Sequence, residues 1–181
     1  MNRQEAVELM EYDQWASDLV LNAAEAAGDQ KFTAEPKSQG IGSMRDLMVH
    51  VADGQWMWLQ RLKGEPLPVD KLFKYGRMST VKEVRDHCKD MAARFTAYLS
   101  SAGPDEFNRP VTYTPNPAGT GPQVTTPVWE IILQVSTHGV HHRSEVCELL
   151  SQIGHRPEDV NYQRFFTARF RAAAAANKPA P

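Results

Sequence analysis

Residues 131–150, IILQVSTHGVHHRSEVCELL, decide how the rest of the chain is read. Ile131, Val135, His138, His142, Glu145 and Leu149 follow alternating steps of four and three, the spacing of a helix that turns one face to a partner helix. That predicted seam carries two histidines. At 3.6 residues per turn, His138 and His142 stand one turn apart on the same face, while His141, rotated by about 100° from His142, points elsewhere.

The pair admits two readings. Two core histidines hydrogen-bonded to neighbouring groups have the same spacing as two ligands of one ion. Imidazoles on an apolar seam carry a desolvation cost, and protonated neighbours repel each other; a shared metal removes both penalties. A tight site needs a third protein ligand. His50 is the candidate, in SMRDLMVHVADGQWMWLQRL (residues 43–62), at the border of an apolar arc made by Met44, Leu47, Val51, Trp58 and Leu62. Gly54, one turn later, thins the wall beside it. His87, in the charged run RDHCKD and read as solvated, and His155, in a turn before Pro157, are not expected to bind metal.

Around these positions the chain reads as all-α, a four-helix bundle with a short hairpin or loop insertion before the fourth long helix and a short C-terminal helix. Gln4 to Ala27 has helical apolar spacing and Gly28 stops it. Ser43 with Asp46 three residues on opens a second helix that runs to about Lys63, and Thr80 with Glu83 opens a third that runs to about Ser101. In residues 108–126, the β-prone VTYT and QVTT flank a cluster of Pro, Asn and Gly, the composition of a hairpin. Thr126 as cap and Pro127 at the first helical position open the fourth long helix, which ends near Ile153 and Gly154; a fifth, short one follows Pro157. One domain is expected over residues 1–175, with 176–181 a flexible tail.

Composition excludes several classes. A net charge of −2 and 23% charged residues leave no electrostatic footprint for nucleic acid or an anionic membrane. No run of about 18 apolar residues is present, and the acidic N-terminal stretch does not read as a signal peptide. Cys88 and Cys147 lack metal spacing and read as free thiols of a reducing compartment, so a cytoplasmic location is expected. The chain lacks a GxSxG elbow, a P-loop, a GxGxxG turn and the paired Glu-x-x-His motifs of a di-iron bundle. Trp15, Trp56, Trp58 and Trp129 read as core and interface residues.

With these pieces in place the sequence resembles the DinB-like, or YfiT-like, family of metal-binding four-helix bundles. The resemblance rests on the histidine in LMVHVADGQWMWLQRL, the His-x-x-x-His-Arg pattern of HGVHHR and the late segment PEDVNYQRFF, in matching order from YDQWASDLV to about Phe170. It maps the family's metal triad to His50, His138 and His142. Where many members continue Arg with Gly-Gln, this chain has Ser144 and Glu145, which places the difference in the polar surroundings of the site. The resemblance implies a divalent ion, zinc or nickel foremost, a small-molecule substrate, a low-molecular-weight thiol cosubstrate and a homodimer. The activity it implies is thiol transfer first and hydrolysis second; the alternative is a non-catalytic metal-binding stress or structural protein.

Overall fold

The computed structural model describes residues 1–35, 42–67, 70, 72–115 and 120–176, with side chains described as far as residue 171. Four long helices carry the fold: α1 (Arg3–Ala27), α3 (Met44–Lys63), α4 (Val81–Ser101) and α5 (Val128–Gln152). Two shorter ones, α2 (Asp29–Phe32) and α6 (Tyr162–Ala176), flank them. The boundaries follow local chemistry. Asn2 with Glu5, Ser43 with Asp46 and Thr80 with Glu83 each form a reciprocal capping box, an arrangement in which the cap alone contributes about 1 kcal/mol. Gly64, at φ 68°, closes α3 in the left-handed conformation that glycine adopts without steric penalty.

The insertion before α5 is a two-stranded antiparallel hairpin, β1 (Pro110–Tyr113) and β2 (Val124–Pro127), with Val111 opposite Thr126. The strand continues through Thr126, and the amide of Val128 donates to the carbonyl of Arg109. The helix therefore starts one residue later than expected, and Pro127 is its cap. Arg61 of α3 anchors the hairpin: its guanidinium stacks on Trp58 and Tyr113 and donates to the carbonyls of Thr114 and Pro115. Trp56 and Trp58 are half-buried against the two core clusters. The 177–181 part of the expected tail lies outside the described residues.

α1 packs against α4 and α5, and α3 packs against the same two, so α1 and α3 lie on one diagonal. The core is divided. One apolar cluster holds Val20, Leu21 and Ala24 of α1, Leu47 and Met48 of α3, Val84 of α4 and Leu150 of α5. The other holds Ala6 and Met10 of α1, Leu59 and Leu62 of α3, Phe95 and Leu99 of α4 and Ile131 and Val135 of α5. α1 and α5 run from the second cluster to the first, and α3 and α4 run the opposite way, so these pairs are parallel. The connection 64–80 must therefore return along the bundle. At up to about 3.3 Å per residue it has the reach to pass a helix about 30 Å long.

Between the two clusters lies a polar layer. Asp13 and Ser17 of α1, Gln55 of α3 and Arg143 of α5 are all buried. Nη2 of Arg143 donates to Oδ1 of Asp13 at 2.6 Å, and the Gln55 amide crosses the diagonal to Oδ2 at 2.7 Å. Burial opposes the guanidinium charge, and the Asp13 carboxylate more than offsets it, raising Arg143 above its ordinary value.

This layer corrects the seam expected for α5. The interior face is Val128, Ile131, Ile132, Val135, Ser136, Gly139, His142, Arg143, Val146 and Leu150, so the expected seam holds at Ile131, Val135 and His142, whereas Glu145 is exposed and Leu149 and His138 are only half-buried. Toward its C-terminal half the face turns to include a buried arginine, Arg143, that the expected seam left out, and Gly139 makes room for it. A Cβ at position 139 would lie 2.7 Å from Nη1 of Arg143 and 2.8 Å from Oδ1 of Asp13.

Candidate metal centre

His50 from α3 and His138 and His142 from α5 converge at the level of the polar layer. Ring centroids are 4.9 Å apart for His50 and His138, 4.7 Å for His50 and His142, and 4.6 Å for His138 and His142. One ring nitrogen from each lies within 4.8 Å of the others. Nε2 of His50 and Nε2 of His138 are 3.0 Å apart, a separation open to a hydrogen bond between neutral rings and also close to that of two nitrogens sharing an ion at about 2.0–2.1 Å each.

Two of the three rings are held from behind. Nδ1 of His142 lies 2.7 Å from Oε2 of Glu145. A carboxylate only accepts, so Nδ1 carries the proton, and in the neutral ring the Nε2 lone pair is left toward the cluster. Nδ1 of His50 lies 3.0 Å from the Tyr75 hydroxyl. His138 has a different support: α3 passes it closely because residue 54 is glycine, whose added Cβ would lie 3.2 Å from Cε1 of His138. The glycine read as thinning the wall beside His50 in fact makes space for His138.

Burial lowers His50 to about 4, with the neighbouring His142 adding to the shift, and burial likewise lowers His138 to about 4, with His50 and His142 adding. Both rings are thus neutral donors near pH 7. Two imidazoles kept neutral by burial and a third turned toward them, with outer nitrogens engaged on two of the three, form a donor set that fits a divalent ion.

Among the described residues a second cluster of possible ligands, His141, His142 and Glu145, shares His142 with the first. His141 is exposed, and its Nε2 lies 3.7 Å from Oε1 of Glu145. The other oxygen of that carboxylate already accepts a hydrogen bond from Nδ1 of His142, so the interior trio is the better assembled set. His141→Ala is expected to leave metal stoichiometry near wild type by elemental analysis. Loss of metal from this variant with retention in His138→Ala would show that the outer cluster holds the ion.

The remaining histidines lie apart. Nε2 of His155 is 3.4 Å from Nζ of Lys31. His87, expected on a solvated stretch, instead meets the fully buried carboxylate of Asp53 at 2.8 Å. Its surroundings were hidden in the sequence because the partner lies 34 residues away. Cys88 is buried with its thiol raised to about 12 by desolvation, and Cys147, half-buried, is raised by the same cause. The neighbours Tyr75, Asp53 and Phe73 also escaped the sequence reading; the sole local hint was the aromatic spacing of FKY.

A helical bundle with three histidines meeting between two helices defines a class of candidate metal protein. The chain belongs to the DinB family, whose model matches residues 1–174. It is 24% identical over 162 residues to Protein DinB of Bacillus subtilis (strain 168), covering 87% of this chain and 91% of that protein. Among solved structures it is similar to YfiT from Bacillus subtilis, described as a probable metal-dependent hydrolase with an unusual four-helix bundle topology. The TM-score is 0.63 at 16% identity, over 85% of this chain and 90% of that one. No helix among the described residues is long and apolar enough to cross a membrane.

Proposed function

We propose that the protein is a metal-dependent enzyme in which His50, His138 and His142 hold one divalent ion, zinc or nickel foremost, and a small nucleophile attacks an electrophilic substrate beside it. The observation that carries this reading is the convergence of three imidazoles from two helices, two of which have their outer nitrogens engaged by Tyr75 and Glu145. A divalent ion there lowers the pKa of a coordinated water to about 7, or favours thiolate over thiol in a bound cosubstrate.

The chain's own residues fix orientation and charge state. Glu145 holds His142 in the Nδ1–H tautomer, burial keeps His50 and His138 neutral, and Gly54 admits His138 to the cluster. Neither cysteine is suited to act as nucleophile, since burial raises both thiols. The nucleophile is therefore taken to be a small thiol or water. Thiol transfer rests on the family resemblance, and hydrolysis is supported by the description of YfiT.

The test is metal analysis of protein purified without an affinity tag, followed by a panel of low-molecular-weight thiols with electrophiles and of hydrolysable esters and amides. Turnover is expected to vanish on chelation and to return with added metal. A panel without metal-dependent turnover would leave the ion as a staple between α3 and α5.

A further inference from the structure

The geometry points to Asp53 as a positioning residue that pins residues 73–77 of the returning connection against the site, so that Tyr75 holds His50 with its Nε2 lone pair toward the cluster. Asp53 sits one turn beyond His50 on α3, and its side chain is fully buried. It belongs to neither ligand cluster, and its oxygens are engaged elsewhere. Oδ2 accepts the Phe73 backbone amide at 2.7 Å, and Oδ1 accepts Nη2 of Arg77 at 2.6 Å and meets Nε2 of His87 at 2.8 Å. One carboxylate thereby joins α3, the connection and α4.

What it holds in place is specific. Phe73 has φ 56°, the left-handed region that a side chain with a Cβ rarely enters, so its backbone needs outside support. The Asp53 bond to its amide supplies that support. In this conformation the Phe73 ring lies against His50, with centroids 4.9 Å apart, and two residues on the Tyr75 hydroxyl reaches Nδ1 of His50. The Tyr75 hydroxyl oxygen then accepts a hydrogen bond from Nδ1–H of His50, the role that an outer partner plays for a ligating histidine. Arg77, two residues further, returns to the same carboxylate. The two outer ties to Asp53, at residues 73 and 77, bracket the residue that touches His50.

The tautomer arm of the test needs no metal, whereas the cobalt arm rests on the metal reading. In chelated protein, long-range nitrogen–proton correlation spectra should show His50 as the Nδ1–H tautomer in wild type. Tyr75→Phe and Asp53→Asn should each move it toward Nε2–H. With Co²⁺ as probe, each variant should weaken binding about tenfold or more. Asp53→Asn placed in the Tyr75→Phe background should add less than about twofold, because Asp53 acts through Tyr75. If Asp53→Asn does not fold, Arg77→Gln removes one tie at the partly exposed end and should shift the tautomer in the same direction. An Nε2–H tautomer in wild type, an unchanged His50 spectrum in a folded Asp53 or Arg77 variant, or fully additive cobalt losses would overturn the inference. Wild-type cobalt binding that is insensitive to His138→Ala would instead remove the metal reading and leave the tautomer result to decide the role of Asp53.

Discussion

His142→Ala, purified without an affinity tag, is expected to carry less than about a tenth of the divalent ion found in wild type, and His138→Ala should behave alike, because three protein ligands leave little redundancy. The two losses have different local causes. His142 is the most enclosed of the three rings, and removing it also strands Glu145, which is exposed enough to recover a water partner. His138 is nearer the rim, where Gly54 leaves space that water fills after truncation. Circular dichroism should show both variants folded, and plasma emission spectrometry reads the metal. Retention of a full equivalent in either variant would exclude that residue as a ligand.

The largest effect on stability is expected from Asp13→Ala. The substitution leaves the Arg143 guanidinium, 1% exposed, without its carboxylate, and deprives Gln55 of its acceptor. Removing one member of a buried pair costs about 3–5 kcal/mol, which for a chain of this size lowers the melting temperature by the order of 10 °C. Urea titration and calorimetry measure it. The double change Asp13→Leu with Arg143→Met should recover much of the loss, since an apolar pair leaves no uncompensated charge. A single variant within 1 kcal/mol of wild type would show that water enters the layer and solvates Arg143.

The convergence of His50, His138 and His142 was accessible from sequence because two of the three sit four apart on one strongly periodic helix, a relation that survives without tertiary information. The buried layer beside it was not. Asp13, Gln55 and Arg143 each look like surface residues taken singly, and nothing local shows that they meet across a diagonal. The four-and-three spacing placed Ile131, Val135 and His142 inside correctly but put Glu145 there in place of Arg143 and Val146. The capping boxes at Ser43 and Thr80 were legible because they involve residues three apart. Asp53 was hidden for the opposite reason: its partners lie 20, 24 and 34 residues away. Its position on α3, between His50 and Gly54, gives no local sign of them.

The parallel course of α3 and α4 also has a consequence for how such a scaffold diversifies. Because the chain must travel back between them, part of the wall around His50 is contributed by a connector, residues 72–77, while the three histidines themselves stand on helices. Connectors accept replacement and insertion more readily than packed helices do. Grafting a different connector between Lys63 and Val81 can therefore alter which molecules reach the three imidazoles while the bundle stays as it is, provided the graft still meets Asp53.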